Sequence, residues 1–172
     1  MANKTLNLID EINSLSESIN AILDNKQKEK YFESIVVLYS FIEDVMKWLV
    51  LMQIIWNKSE KRVMPAGQLE EIIKFCNRLN FDNLLQIGNS IGLLDYSFFK
   101  RLEKVRIERN TIIHQYWIYT HKNKIHILRK KLEKLAKICS DLIGKLNALV
   151  EETGADDSYG IFEVKRGRNF LV

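Results

Sequence analysis

Within eight consecutive residues, Arg109-Asn110-Thr111-Ile112-Ile113-His114-Gln115-Tyr116, the chain places a guanidinium, an amide, an imidazole and a phenol on a segment with amphipathic helical spacing. Arginine is a permanent cation whose planar fork matches the oxygens of a phosphate, and histidine is the side chain that exchanges protons near neutral pH. Together they are a minimal set for metal-free chemistry on a phosphodiester. No other cluster in the 172 residues combines such types.

On a helix turning about 100° per residue, Asn110 and His114 are i, i+4 neighbours on one face, and Arg106 extends that stripe by a turn. Arg109 and Tyr116 are seven apart and share a second stripe, about 100–140° away. Phe98, Leu102, Val105 and Ile112 lie on that second stripe, so it is the packing side and Arg109 stands at the boundary between core and cleft. A cation there is costly unless it is paired or faces a wet cavity. Glu43 and Asp44, acids in an otherwise apolar helix, are the available partners. A purely structural bridge from Arg109 to one of them, with His114 at an amphipathic edge, fits the spacing as well as a site does. Asn110 directly after the arginine, and Tyr116 two after the histidine, weigh toward function.

The elements that must hold these groups are helical. Apolar residues recur at spacings of three and four almost throughout, and one Pro and seven Gly are too few for a turn-rich β protein. The spacing predicts helices over about Asn7–Asp24, Lys30–Asn57, Ala66–Leu79, Asp82–Ile91, Tyr96–Tyr119 and Ile125–Glu151. Asp95 reads as the N-cap of the motif helix. In the second helix Leu49-Val50-Leu51-Met52 is apolar on nearly every side, which demands central burial or a covering partner. The last helix repeats Ile125, Leu128, Leu132, Leu135, Cys139, Leu142, Leu146 and Leu149 like a bundle or coiled-coil seam. The expected fold is all-α, an up-down bundle of five to six helices forming one domain over residues 1–150. Residues 151–172 read as a linker and tail, with a small strand, a packed tail and disorder until binding all open.

Composition narrows the function. With 47% hydrophobic and 28% charged residues the chain is ordinary globular material. A net charge of +4 suits an anionic partner but falls short of the basic stripe of a dedicated DNA binder. Cys76 and Cys139 lie on apolar stripes and read as buried free thiols of a reducing compartment. With no apolar leader, and Trp48–Trp56 too short to span a bilayer, the expectation is a cytoplasmic protein without membrane association. Trp48, Trp56 and Trp117 have aliphatic neighbours and read as core or interface rather than base-stacking platforms. His114, His121 and His126 lack metal-ligand spacing, and there is no Gly-rich phosphate loop, so no metal and no cofactor is expected. His121, seven after His114, lines the same face if the helix continues and is a solvated end otherwise.

With these residues in place, the chain resembles the HEPN superfamily, helical bundles whose signature is an arginine, a polar residue often asparagine, and a histidine four to six residues further on. Arg109, Asn110 and His114 match it. Glu43 followed four later by Lys47 in the long second helix is similar to the family as well, and the likeness covers about Tyr31 to Leu149. Tyr116 further resembles a toxin branch paired with a small nucleotidyltransferase antitoxin, in which the matching tyrosine receives AMP from the partner. The chain is longer than typical members of that branch, and 151–172 has no counterpart. The resemblance implies a metal-independent endoribonuclease acting as a homodimer, with His114 in proton transfer, Arg109 on the phosphate, Asn110 orienting, and Arg106 in a supporting contact. It implies an RNA substrate, a toxin–antitoxin or phage-defence setting, and a composite site at the dimer cleft. A non-catalytic HEPN module binding nucleotides, RNA or protein, and a helical dimerisation protein with Ile125–Leu149 as its seam, are the competing readings.

Overall fold

The computed structural model describes residues 8–59, 66–115, 118, 119 and 124–153. Among the described residues it contains six α-helices, one short 3-10 turn and no strand. The helices are α1 (Leu8–Asp24), α2 (Tyr31–Ser59), α3 (Ala66–Arg78), α4 (Phe81–Ser90), α5 (Tyr96–His114) and α6 (Ile125–Thr153). The chain groups into two compact units, Met1–Leu38 with Ile118–Val172, and Tyr39–Trp117, and α2 supplies residues to both.

In the first unit α1 packs on α6. The seam read from the sequence is buried from Leu128 to Leu149, and Ala136, Ile138 and Ile143 widen it beyond a two-position coiled-coil stripe. A stripe that broad belongs to a helix enclosed by a globular core. Ile19 and Leu23 of α1, and Tyr31, Ile35 and Leu38 at the start of α2, are buried too. Residues 151–153, expected to open the linker, are still helical; residues 154–172, with the rest of the expected tail, lie outside the described residues.

In the second unit α4 packs on α5. Asn80 caps α4, its side-chain oxygen accepting from the Asn83 backbone N–H at 2.9 Å. Asp95 caps α5 as predicted, accepting from the Phe98 N–H at 2.8 Å. Each cap satisfies an amide that the first helical turn leaves without a partner. Leu49, Val50, Leu51 and Met52 are all buried within the chain itself. Buried Phe98, Leu102, Val105 and Ile112 define the packing side of α5, as the spacing required.

One boundary differs. The motif helix was expected to reach Tyr119, but α5 closes at His114 with Gln115 as its C-cap, φ −115° and ψ 19°. Ile118 and Tyr119 are again helical, while Tyr116 and Trp117 lie outside the described residues. No helix among the described residues is long and apolar enough to cross a membrane.

Candidate functional site

The two halves of the expected site come from α2 and α5. Arg109 reaches from the last turns of α5 to Glu43 of α2, its Nη1 donating to Oε2 at 3.0 Å across 66 residues of sequence. Glu43 receives a second cation, Lys47 of its own helix, at 3.4 Å, and Lys47 also meets Asp44 at 3.2 Å. The carboxylate thus bridges Lys47 and Arg109 in a partly enclosed position, with 21% side-chain exposure for Glu43 and 35% for Arg109. This satisfies the requirement that a cation at the core boundary be paired. A guanidinium carries five N–H donors, and the bond to Glu43 engages one of them.

Asn110 and His114 are both exposed on the stripe that the helical spacing assigned to them. Arg106, expected beside them, turns to α4, where its Nη1 lies 3.3 Å from Asp82. Its Nε is enclosed and has no hydrogen-bond partner. The last turn of α5 therefore displays an amide and an imidazole to solvent, with a guanidinium one position away that is anchored but not enclosed. Ile107 and Ile113, three residues either side of Asn110, are 55% and 42% exposed. Sequence inspection passed over these two, although both fall off the Phe98–Ile112 packing stripe and their exposure could have been read from that alone. Two open isoleucines beside a polar stripe form a surface with an apolar rim.

His121 and Tyr116 fall outside the described residues. His126, the remaining histidine, lies in the first turn of α6, in the first unit. Both cysteines are free and buried, and burial raises the thiol pKa of each, which leaves them poor nucleophiles. Among the described residues no group of three or more His, Cys, Asp or Glu is placed to hold a metal ion. Comparison with protein-family models, curated proteins and solved structures gives no match.

Proposed function

We propose that the chain is a metal-independent endoribonuclease of the HEPN type, cleaving RNA at a site completed by a second copy. The observation that carries this reading is the meeting of Glu43, Lys47 and Arg109 beside exposed Asn110 and His114. Residues far apart in sequence, each part of the resemblance, converge at one helix end.

RNA carries its own nucleophile. The 2′-hydroxyl oxygen attacks the adjacent phosphorus, its proton passes to a base, the P–O5′ bond breaks, and the leaving 5′-oxygen takes a proton from an acid. The products are a 2′,3′-cyclic phosphate and a 5′-hydroxyl. His114 serves proton transfer, and Arg109 presents its remaining N–H donors to the phosphorane oxygens. Asn110 orients the phosphate. One exposed histidine cannot be acid and base at once, whereas two from facing copies can, and Ile107 with Ile113 supply the apolar contact for such a pairing. In the toxin setting Tyr116 is the residue a nucleotidyltransferase antitoxin would modify.

The test is RNA cleavage by the purified full chain in EDTA. His114→Ala and Arg109→Ala are each expected to lower the rate by about 100-fold or more. Cleavage that requires added Mg2+, or that survives both substitutions, would sink the proposal.

The second reading, a non-catalytic module, draws on one observation: Arg109 is already engaged by a carboxylate, as a structural bridge would be. It predicts that wild type and His114→Ala are equally harmless when expressed in cells. A toxic wild type beside a harmless variant excludes it.

A further inference from the structure

The first unit contains a cleft built from residues outside the α5 motif. It encloses about 370 Å3 and is lined by Lys26, Lys28, Tyr31, Ile125, His126 and Arg129. Three of the six are basic side chains and a fourth is a histidine, and no carboxylate is among them. The cleft is bounded by the turn between α1 and α2 and by the first turns of α6, so the positive end of a long helix dipole adds to its field. The acids near Arg129 are Glu133, which accepts from its Nε at 2.9 Å, and Asp24. That bond leaves both Nη groups of Arg129 available. Neither Lys26 nor Lys28 makes an ion pair among the described residues. Buried Tyr31 and half-buried Ile125 supply apolar wall, which lowers the local dielectric and strengthens the attraction for an anion.

The backbone at Lys26, one of the cleft's lining residues, is left-handed. Its φ is +51°, and it is the only residue other than glycine with a positive φ among the described residues. It occupies the left-handed position that ends α1, where glycine is the unstrained choice and asparagine the usual second. The lysine side chain at this position borders the cleft.

We infer that this cleft is a binding site for a phosphate monoester of mononucleotide size, held by Lys26, Lys28, Arg129 and the N-terminus of α6. The phosphoryl group belongs either to a free nucleotide or to the 5′ end of an RNA, and the chemistry that recognises it is the same. The cleft is about the size at which small-molecule sites begin. Tyr31, Ile125 and the His126 ring provide the less polar side against which a nucleoside rests. This site does not depend on the ribonuclease reading, since its residues are separate from the α5 motif and its readout is binding.

The experiment is calorimetric titration of the full chain, at physiological salt, with AMP, adenosine, inorganic phosphate, and a 2′-O-methyl oligoribonucleotide bearing either a 5′-phosphate or a 5′-hydroxyl. The 2′-O-methyl groups remove the nucleophile and so separate binding from cleavage. Saturable one-to-one binding of AMP, with adenosine at least about tenfold weaker, is expected. Lys26→Gly and Arg129→Gln are each expected to weaken AMP by about tenfold or more. Lys26→Gly also relieves the left-handed backbone, so it should melt no lower than wild type, and lost binding cannot then be ascribed to unfolding. A 5′-phosphate preference in the oligonucleotide exceeding the preference of AMP over adenosine identifies an RNA end as the source; the reverse order identifies the free nucleotide. Adenosine binding as tightly as AMP, unchanged affinity in Lys26→Gly, or no saturable binding in any arm overturns the inference while leaving the ribonuclease proposal intact.

Discussion

Two helices in this protein end with the same hydrogen bonds and different residues. At the end of α1 the Lys26 N–H donates to the Leu23 carbonyl at 3.3 Å and the Gln27 N–H to Ile22 at 3.1 Å. At the end of α4 the Gly92 N–H donates to Asn89 at 3.2 Å and the Leu93 N–H to Gly88 at 2.9 Å. Both are Schellman turns, and both need a left-handed residue, with φ +51° at Lys26 and +74° at Gly92. A Cβ on Gly92 would meet nothing within 4 Å, so crowding does not dictate glycine there. Backbone preference alone does, and an L side chain in that region costs about 1–2 kcal/mol. Lys26 carries that cost on the border of a cleft lined by cations. The difference teaches that one backbone device accepts two residues, glycine at α4 and, at α1, a lysine whose side chain borders the cleft.

The same contrast separates the arginines. Arg109 and Arg106 each face a carboxylate from another helix, Glu43 and Asp82. Arg129 pairs with Glu133 one turn along its own helix, a surface pair with 42% and 44% side-chain exposure, and shares its cleft with two lysines that make no ion pair among the described residues. Arg109 and Arg106 are thus each matched by an acid from another helix, whereas the lining of the first unit's cleft contains basic side chains and no carboxylate.

The strongest way to break the comparison of helix ends is Gly92→Lys. It places at α4 the residue that α1 tolerates, and urea denaturation should report a loss of about 1–2 kcal/mol. A neutral result would mean that the left-handed position costs little in this chain, and Lys26 would no longer stand out. The reciprocal change, Lys26→Gly, is expected to gain a smaller amount, about 0.5–1 kcal/mol, because glycine also frees the unfolded chain. If it destabilises, the lysine side chain is contributing to the fold itself.

Much of the helical scaffold could be read from spacing, because a 3-4 apolar repeat is a local property. The predicted starts and ends of α1, α2, α3 and α4 lie within two residues of those observed. The end of α5 was not legible. Neither glycine nor proline marks Gln115, and the apolar and aromatic residues Tyr116, Trp117, Ile118 and Tyr119 extend the helical sequence pattern past the cap. The partner of Arg109 was narrowed to Glu43 or Asp44 because burial of a cation demands an acid, and the structure selects Glu43. The cleft in the first unit was invisible for a different reason. Its residues come from 26–31 and 125–129, two segments whose juxtaposition is tertiary, and a lysine is not a signal for a left-handed turn.

The smallest expected effects compare the two guanidinium anchors directly. Glu43→Gln and Glu133→Gln each remove one negative charge from an arginine while keeping an amide in its place. Glu133 and Arg129 are both well solvated, so their pairing is screened and its loss should leave the urea midpoint essentially unchanged. Glu43 is the less exposed acid and holds two cations, Arg109 at 3.0 Å and Lys47 at 3.4 Å. Its neutralisation leaves those two charges facing each other, and the loss should be larger, though still under about 1 kcal/mol given the exposure of Arg109. An equal or reversed order would mean that the Glu43 bridge does not hold Arg109 in solution. The guanidinium would then be free to leave the α5 surface, and the proposed contact of Arg109 with phosphate would have no anchor on α2.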